Sequence, residues 1–544
     1  MDDFSYAKTA LDFARTGRFV YNGWAVEILG WQIPWGALFI KLFGFSFNVL
    51  RLSMLPIAMA TVYLFHQILR RFGISPRNAV FGSLTMALSP LFLPVAASFM
   101  TDIPGLFVIL LCLYMCQRAV AAASDRSALL WLCSAALVNV GGGTVRQIAW
   151  LGALVMAPST AWLLRRRRGM KVAGVLLWIV SLLGVLACLH WFSLQPYSVP
   201  EHIFAGPIHA KMLVHLAAQL LKTILCLLLL VFPVSAAWLP WAAGRNARAR
   251  LAGSIAMASL ALLAFVLYRH GALDGWTIPW LTPVLAAQPI LIPGALGITS
   301  STVGVFTSVI FSLLVIAPAI AVLMQLSKHK TDIRKIIGMQ SKGWDEIGWI
   351  MIPFGISYIA LLAPRGTYSY IQDRYVLGLV LVAIPFLLKL YQEKIGKNLP
   401  KASALILFAY AVYSVGGTHD FFAESRARVA VLQLVESSGV PRNLIQGRLA
   451  SDGWVQIEGG GHINDPRIQN PAGAFVPYTM RWKIPGECLD WFTPYAPSIT
   501  PEYFIVSDPA PCFAPTQYPP VHYTAWLPPF HRALYVRRLK DISN

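Results

Sequence analysis

Residues 165–192 read RRRRGMKVAGVLLWIVSLLGVLACLHWF, a basic block followed by a run of 21 mostly apolar residues. At about 1.5 Å per residue, roughly 20 residues in a helix cross the hydrocarbon core of a bilayer. Basic residues directly before such a run are typical of a loop that stays on the cytoplasmic side. This stretch therefore predicts a membrane-spanning helix that starts in the cytoplasm.

The composition of the whole chain agrees with this stretch. Of the 544 residues, 57% are apolar and 12% are charged, whereas soluble domains carry about 25% charged residues. This composition excludes a disordered chain, a coiled coil and a typical soluble enzyme. The net charge of +20 would suggest a nucleic-acid partner on a soluble protein. Because the basic residues here lie beside apolar runs, no nucleic acid is expected.

Twelve apolar runs are long enough to be read as membrane spans. They lie near 48–69, 78–98, 104–121, 128–143, 148–164, 172–192, 213–240, 251–268, 302–327, 345–363, 375–391 and 402–419. Six of the breaks between them hold 21 basic residues in total, and the intervening short loops hold five. This alternation satisfies the positive-inside rule. We expect a multi-pass protein of a bacterial plasma (inner) membrane with both chain ends outside the cytoplasm.

The charge pattern divides the chain into three parts. Residues 1–47 form a first extracytoplasmic loop with amphipathic helices, including one predicted from Asp3 to Arg15. Residues 48–420 form a transmembrane domain of about 12 helices, and residues 421–544 form a C-terminal extracytoplasmic domain. A chain that begins inside its own extracytoplasmic loop lacks a helix to carry that loop across the membrane. We therefore expect a true first helix upstream of Met1.

The composition changes after about residue 420 to polar residues, proline, glycine and aromatics. GWVQIEGGGHIND (453–465) and SITPEYFIVSDPAPCFAP (498–515) predict short strands between turn-rich loops. Cys488 and Cys512 both fall here and form either a disulfide or two free thiols. The predicted fold class is an all-α polytopic membrane protein with a small C-terminal extracytoplasmic α+β domain.

Acidic residues mark two of the predicted extracytoplasmic loops. Asp2 and Asp3 open the first loop, and Asp102 lies in SFMTDIPGLF (98–107), a tight turn between two spans. Charge beside lipid is costly, so these acids are candidates for function. The alternatives are helix capping by Thr101 or Asp102 and a solvated amino terminus.

Basic and aromatic residues gather in two other loops on the same side. GGGTVRQIAW (141–150) places Arg146 and Gln147 beside three glycines, which permit close approach of backbone or ligand. APRGTYSYIQDRYVLGL (363–379) adds Arg365, Tyr368, Tyr370, Arg374 and Tyr375. Because guanidinium groups bind phosphate bidentately, we predict a phosphate site at headgroup depth. Interfacial anchoring, with a local Asp373–Arg374 pair, is the alternative.

No metal site is predicted from the histidines. They are scattered and show no HExxH or paired spacing. A divalent metal is left open as a cofactor.

Three motifs resemble the GT-C superfamily of polyprenyl-phosphate-dependent glycosyltransferases. They are DDFSYAKTALDFARTGRFVYNGW (2–24), SFMTDIPGLF and RGTYSYIQDRY (365–375). The resemblance is greatest to the branch of protein O-mannosyltransferases and the lipid A aminoarabinose transferase, and it covers most of residues 1–420. It implies a GT-C-like helical bundle and, in agreement with the charge pattern, a helix before the first loop.

The resemblance also implies roles for individual residues. Asp3, or its neighbour Asp2, matches the acid that positions or deprotonates the acceptor, and Asp102 matches the second-loop acid. Arg146, Arg365 and Arg374 match loosely as contacts to the polyprenyl phosphate. Relatives often carry a His- or Lys-Pro-Pro stretch where this chain has Trp-Gln-Ile-Pro-Trp-Gly at 31–36. That departure argues against a metal site built on those residues.

The expected function is that of a mannosyltransferase-like hexosyltransferase. It would move a sugar from a polyprenyl-phosphate donor to an acceptor hydroxyl or phosphate, with Asp3 as base. The acceptor would be a lipid, a protein or a polysaccharide, and membrane lipids would surround the enzyme. A transporter or flippase of a lipid-linked glycan and a glycan polymerase or ligase are the alternatives. A transporter predicts acids at mid-membrane depth and internal repeats, and neither is visible.

Overall fold

The computed structural model describes most of the chain. The described residues are 3–200, 209–244, 247–273, 276–285, 305–327, 343–477, 490–507, 512–528 and 530–540. Asp2 and Cys488 lie outside these residues, as does the side chain of Tyr368.

Helices dominate the described chain. The first ten are α1 (Asp3–Thr16), α2 (Gln32–Phe43), α3 (Phe47–Arg71), α4 (Pro76–Ala87), α5 (Phe92–Ala96), α6 (Asp102–Val120), α7 (Asp125–Gly142), α8 (Ala157–Leu163), α9 (Met170–Ser193) and α10 (Ala210–Leu230). The others are α11 (Phe232–Ser235), α12 (Trp238–Ala243), α13 (Ala247–Arg269), α14 (Val305–Ser327), α15 (Trp344–Glu346), α16 (Ile352–Leu362), α17 (Arg365–Tyr368), α18 (Leu377–Lys394), α19 (Lys401–Ser437) and α20 (Leu449–Gly460).

Ten helices of the described residues are long and apolar enough to span a bilayer. They are Phe47–Arg71, Asp102–Val120, Asp125–Val145, Met170–Ser193, Ala210–Leu230, Arg250–Arg269, Phe306–Leu326, Trp344–Leu362, Asp373–Lys394 and Lys401–Ser437. Several of these bounds join an α-helix to an adjoining turn of 3₁₀- or π-helix. The chain is thus an integral multi-pass membrane protein, as predicted.

Two of the twelve predicted spans take a different form. The run at 148–164 is a shorter apolar helix, Gln147–Leu163. The run at 78–98 is divided into α4 and α5. The division follows from Pro90, because a residue that precedes proline is disfavoured in the helical conformation. The Ser89 hydroxyl then accepts a hydrogen bond from the Phe92 amide, at 3.0 Å, at the start of α5.

The C-terminal part carries one small sheet. Its strands are β1 (Ile445–Gln446), β2 (Tyr503–Val506), β3 (Phe513–Pro515), β4 (Val521–Thr524) and β5 (His531–Leu539). The order is β1–β2–β5–β3, and β4 also pairs with β5. The β1–β2 pair is parallel, and the other pairs are antiparallel. Cys512, beside β3, is disulfide-bonded, whereas the cysteines of the predicted spans are free.

The strands predicted within 498–515 are confirmed as β2 and β3. The strand predicted within 453–465 is wrong, because most of that segment belongs to helix α20. Its three glycines do not interrupt a strand but end the helix: Gly461 has a φ of 77°, the left-handed conformation that commonly terminates helices.

Helix α19 joins the membrane domain to the terminal domain without a break. It runs for 37 residues and passes through the predicted boundary at residue 420. Its C-terminal half is buried against the sheet, where Val431 and Val435 pack with Ile505 and Leu534. The two predicted domains therefore share one helix.

Helix α1 lies between the membrane domain and the terminal domain. It forms where the amphipathic pattern predicted a helix, and it contacts both α2 and α20. The contact with α20 is close, since a Cβ on Gly453 would overlap the Phe4 ring. The apolar cluster around Phe4 includes Ile457 and Phe492 of the terminal domain. The first loop is thus held in place from both sides.

Candidate active site

Asp3 is buried at the start of α1. Its side chain is 6% exposed, and its Oδ2 pairs with the Arg51 guanidinium at 3.3 Å. A carboxylate in the first turn of a helix is also stabilised by the helix dipole. Arg51 itself lies over the rings of Phe47, at 6.0 Å, and Phe422, at 5.3 Å. The first-loop acid is therefore fixed where the first loop, α3 and α19 meet.

Arg51 is a residue that the sequence analysis did not single out. The signal was present, because Arg51 lies inside the predicted span 48–69 and ionisable residues within spans are costly and usually functional. Its partner could not be identified from the sequence, since Asp3 and Arg51 are 48 residues apart.

Asp102 lies at the start of α6 and is paired with arginine instead of capping the helix. Thr101, at the N-cap position, makes no side-chain capping hydrogen bond. The Asp102 side chain is 3% exposed, and its two oxygens lie 2.8 Å from Arg146 Nη1 and 3.8 Å from Arg374 Nη1. Neither oxygen accepts a hydrogen bond of regular geometry within the described residues, so these contacts are ion pairs. Arg146 also donates to the Thr101 hydroxyl at 3.1 Å.

Three guanidinium groups surround the ring of Tyr375. Their Cζ atoms lie 5.0 Å (Arg146), 5.1 Å (Arg365) and 5.7 Å (Arg374) from the ring centroid. The negative face of an aromatic ring attracts cations at this range. With the carboxylate of Asp102, the four charged side chains carry a formal net charge of +2. We call these five residues the arginine cluster.

Small residues give Arg146 its position. A Cβ on Gly105, one turn after Asp102, would lie 3.0 Å from the Cβ of Arg146 and 3.1 Å from its Cδ. Gly143 has a similar role, since a Cβ there would overlap the Trp150 ring. Arg146 has an extended backbone between two short 3₁₀ turns, Gly143–Val145 and Gln147–Trp150. Of the three glycines predicted to permit close approach, Gly142 packs against Val108 and Gly143 against Trp150, whereas a Cβ on Gly141 would have no atom within 4 Å.

The segment that carries Arg374 and Tyr375 is held by buried polar groups. Asp373 is fully buried, its Oδ2 accepts a hydrogen bond from the Leu285 amide, and its own amide donates to Thr282 at 3.1 Å. Tyr358 donates its hydroxyl proton to the Tyr375 carbonyl at 2.9 Å. The Asp373–Arg374 pairing considered from the sequence takes the form of a hydrogen bond from the Arg374 amide to Asp373 Oδ1, at 2.7 Å.

The remaining predicted residues lie in different surroundings. Gln147 donates to the Val26 carbonyl at 2.7 Å and so fixes the first loop. Tyr370 is 73% exposed and contacts the His215 ring, with 5.7 Å between centroids. The Tyr368 side chain and Asp2 lie outside the described residues.

The predicted residues form two clusters. Within the described residues, no hydrogen bond or ion pair joins the Asp3–Arg51 pair to the arginine cluster. Nor do the described residues contain a group of three or more His, Cys, Asp or Glu side chains that could hold a metal ion. A small cavity of about 10 Å³ lies between Asp102, Arg146, Arg374 and Tyr358, which is about the minimum for one water molecule.

A third set of charges lies in the terminal domain, beneath α1. Asp452 of α20 accepts hydrogen bonds from the amides of Gly447, at 2.7 Å, and Arg448, at 3.1 Å. Burial raises the pKa of Asp452 to about 8 and lowers the pKa of Arg448 to about 10. Arg448 has a φ of 82°, a strained conformation for a residue other than glycine, and its Nη1 lies 3.3 Å from Glu424 on α19.

Comparison with known proteins gives distant similarity to solved structures. No family model and no curated protein matches the chain. ArnT from Cupriavidus metallidurans matches at 13% identity over 73% of each chain, with a TM-score of 0.31 in the apo state and 0.29 bound to undecaprenyl phosphate. The archaeal oligosaccharyltransferase AglB from Archaeoglobus fulgidus, in complex with an inhibitory peptide and a dolichol-phosphate, matches at 12% identity over 92% of this chain and 60% of its own, with a TM-score of 0.40.

Both are distant matches in fold. At this identity and these TM-scores, the matches do not identify an activity or a substrate for this chain.

Proposed function

We propose that this protein is a membrane glycosyltransferase of the GT-C type. It transfers a hexose from a polyprenyl-phosphate donor to a hydroxyl or phosphate of an acceptor on the extracytoplasmic face of the membrane. The observation that carries the proposal is the arginine cluster, in which Arg146, Arg365 and Arg374 converge on the ring of Tyr375.

The arginine cluster suits a phosphate that leaves with increasing negative charge. It contains three guanidinium groups and one carboxylate, and the three guanidinium groups converge on a single ring. Guanidinium groups bind phosphate oxygens in pairs. Cations that interact more strongly with the leaving phosphate than with the intact donor lower the barrier for transfer. Because the space between Asp102 and Arg146 is no larger than one water molecule, the phosphate binds on the outer side of the cluster.

We assign Asp102 to the donor side of the reaction. Its ion pairs hold Arg146 and Arg374 at adjacent positions although both carry the same charge. Without this carboxylate the two guanidinium groups would repel each other at low dielectric. Asp102 is therefore a positioning residue for the phosphate-binding arginines.

We assign Asp3 to the acceptor side as the general base. Its carboxylate is held in place by Arg51 at the start of α1. In the reaction, the acceptor oxygen attacks the anomeric carbon and passes its proton to Asp3 when the acceptor is a hydroxyl. The bond from the anomeric carbon to the phosphate oxygen breaks, and that oxygen keeps the electron pair. A single displacement of this kind inverts the anomeric configuration.

The test of this assignment compares two acids on the same helix. Membranes that contain the wild type, Asp3→Asn or Asp12→Asn are supplied with labelled polyprenyl-phosphate-linked sugars, and transfer to acceptors is measured. Asp12 pairs with Lys8 on the other end of α1 and serves as the control. Loss of a general base costs roughly 10²- to 10⁴-fold in rate, and Asp12→Asn should retain wild-type transfer. Undiminished transfer by Asp3→Asn at normal expression would contradict the role of Asp3. Movement of the lipid-linked sugar by the wild type without covalent transfer would instead support a flippase.

A further inference from the structure

The β4–β5 hairpin lies along helix α19 and ends in an apolar turn. The two strands pair from Val521 with Leu534 to Thr524 with His531, and the Ala525 amide donates to the Phe530 carbonyl at 2.7 Å. The side chains at the turn include Trp526, Leu527 and Phe530. We call these three residues the hairpin tip.

The hairpin tip is fixed to α19 at a defined position along the helix axis. The Asp420 carboxylate accepts hydrogen bonds from the amides of Trp526, at 2.6 Å, and Leu527, at 3.0 Å. Leu527 packs one turn lower, where a Cβ on Gly416 would lie 3.1 Å from its side chain. Arg532 braces the turn by donating to the carbonyls of Leu527 and Pro528, both at 3.3 Å.

The position of Asp420 along the helix axis corresponds to the end of the membrane-spanning part of α19. From Lys401 to Asp420 the helix rises about 28 Å at 1.5 Å per residue, close to the roughly 30 Å thickness of the hydrocarbon core. The segment below Asp420 is apolar, whereas the charged Arg426, two turns above it, is exposed. Leu527, which packs against Gly416, is therefore level with the last turn of the apolar segment of α19.

The exposed surface of the hairpin tip continues the lipid-facing surface of the helix. Leu405, Phe408, Val412 and Val415 are exposed and recur every three or four residues, so they share one face of α19. The next position on that face is His419, and the Trp526 ring stacks on it with 4.1 Å between centroids. Trp526 and Phe530 remain 57% and 54% exposed.

We propose that the hairpin tip inserts into the boundary between headgroups and acyl chains of the leaflet at which α19 leaves the membrane. The partner is the phospholipid surface. Tryptophan is enriched at this depth because its ring is apolar and its N–H is polar. Insertion would shield the exposed apolar side chains of the turn from water, and the terminal domain would be anchored to the bilayer by the hairpin tip as well as by α19. This proposal does not depend on glycosyl transfer.

Cysteine labelling in open membrane fragments tests the insertion. Phe530→Cys is compared with Gln517→Cys, an exposed position near the far end of α19. Gln517 adjoins Tyr518, whose hydroxyl lies 2.6 Å from that of Ser438. Ser438 lies about 27 Å further along the helix axis than Asp420. The unaltered protein gives the background from native cysteines, and Trp526→Cys replaces Phe530→Cys if the latter does not fold.

A charged maleimide reacts with thiolates in water, and each unit by which apolar surroundings raise a thiol pKa reduces the thiolate about tenfold. We expect Phe530→Cys to react at least about tenfold more slowly than Gln517→Cys in membranes. Equal rates in membranes would overturn the proposal.

Discussion

Replacement of Tyr375 separates the role of its ring from that of its hydroxyl. The ring lies 5.0–5.7 Å from three guanidinium carbons. Each such contact contributes about 0.5–1 kcal/mol when partly exposed. The two arginines of the cluster that pair with Asp102 have side chains only 12% and 14% exposed. Tyr375→Leu removes the ring and should therefore remove about 1.5–3 kcal/mol of the interaction free energy that holds the three guanidinium groups in place.

This free energy translates into weaker binding of a lipid phosphate. A cost of about 1.5–3 kcal/mol corresponds to about 10- to 150-fold in Kd. Tyr375→Phe keeps the ring and should bind within about threefold of wild type, since no hydrogen bond to phosphate is assigned to the hydroxyl. If the hydroxyl instead bound the phosphate, its loss would cost about 1.5–3 kcal/mol, and the Phe variant would be as weak as the Leu variant.

The assay is binding of undecaprenyl phosphate to the purified protein in nanodiscs at fixed salt. Tyr370→Leu is the matched control, because Tyr370 belongs to the same segment but contacts His215 and is largely exposed. It should bind like the wild type. Wild-type binding by Tyr375→Leu, or equal losses in the Phe and Leu variants, would refute the reasoning about the ring.

Two further predictions concern packing and protonation. Gly105→Ala should displace Arg146, at a cost of about 1–3 kcal/mol for overpacking, and weaken lipid-phosphate binding in the same assay. Gly141→Ala is the control and should bind like the wild type, because no atom lies within 4 Å of the position that a Cβ would take there. Equal effects of the two substitutions would contradict the steric argument. Burial raises the pKa of Asp452 to about 8, so the folded protein keeps a proton that the unfolded chain releases near pH 4. The free energy of unfolding should therefore fall as pH rises from about 4 to about 8, by at most about 1.4 kcal/mol per pH unit. Hydrogen exchange of α20, corrected for intrinsic rates, should show this slope in the wild type and not in Asp452→Asn, and a slope retained in that variant would contradict the assignment.

The membrane character of the chain could be predicted from the sequence because apolar length and loop charge are local properties. The same method overestimated the run at 78–98, since hydropathy does not register how Pro90 interrupts a helix. The strand predicted at 453–465 failed for a related reason. A short apolar run beside glycines fits either a strand or the end of a helix, and the burial of Phe4 against Gly453 favours the helix.

The residues of the arginine cluster were all named from the sequence, but their arrangement was not. Arginine and tyrosine beside a span are recognisable by composition, whereas convergence on the ring of Tyr375 depends on tertiary packing. Pairing of Asp102 with Arg146 likewise joins separate parts of the chain. Arg51 was missed because its significance depends on Asp3, and neither residue alone reveals that contact.

Helix α19 fixes both the distance and the rotation between the membrane domain and the sheet. Each residue in a helix contributes about 1.5 Å of rise and about 100° of rotation. One residue added between Asp420 and Val431 would therefore turn the sheet through about 100° relative to the bundle. It would also break the match between Asp420 and the amides of Trp526 and Leu527. Insertions and deletions in this short stretch should be far less tolerated than substitutions.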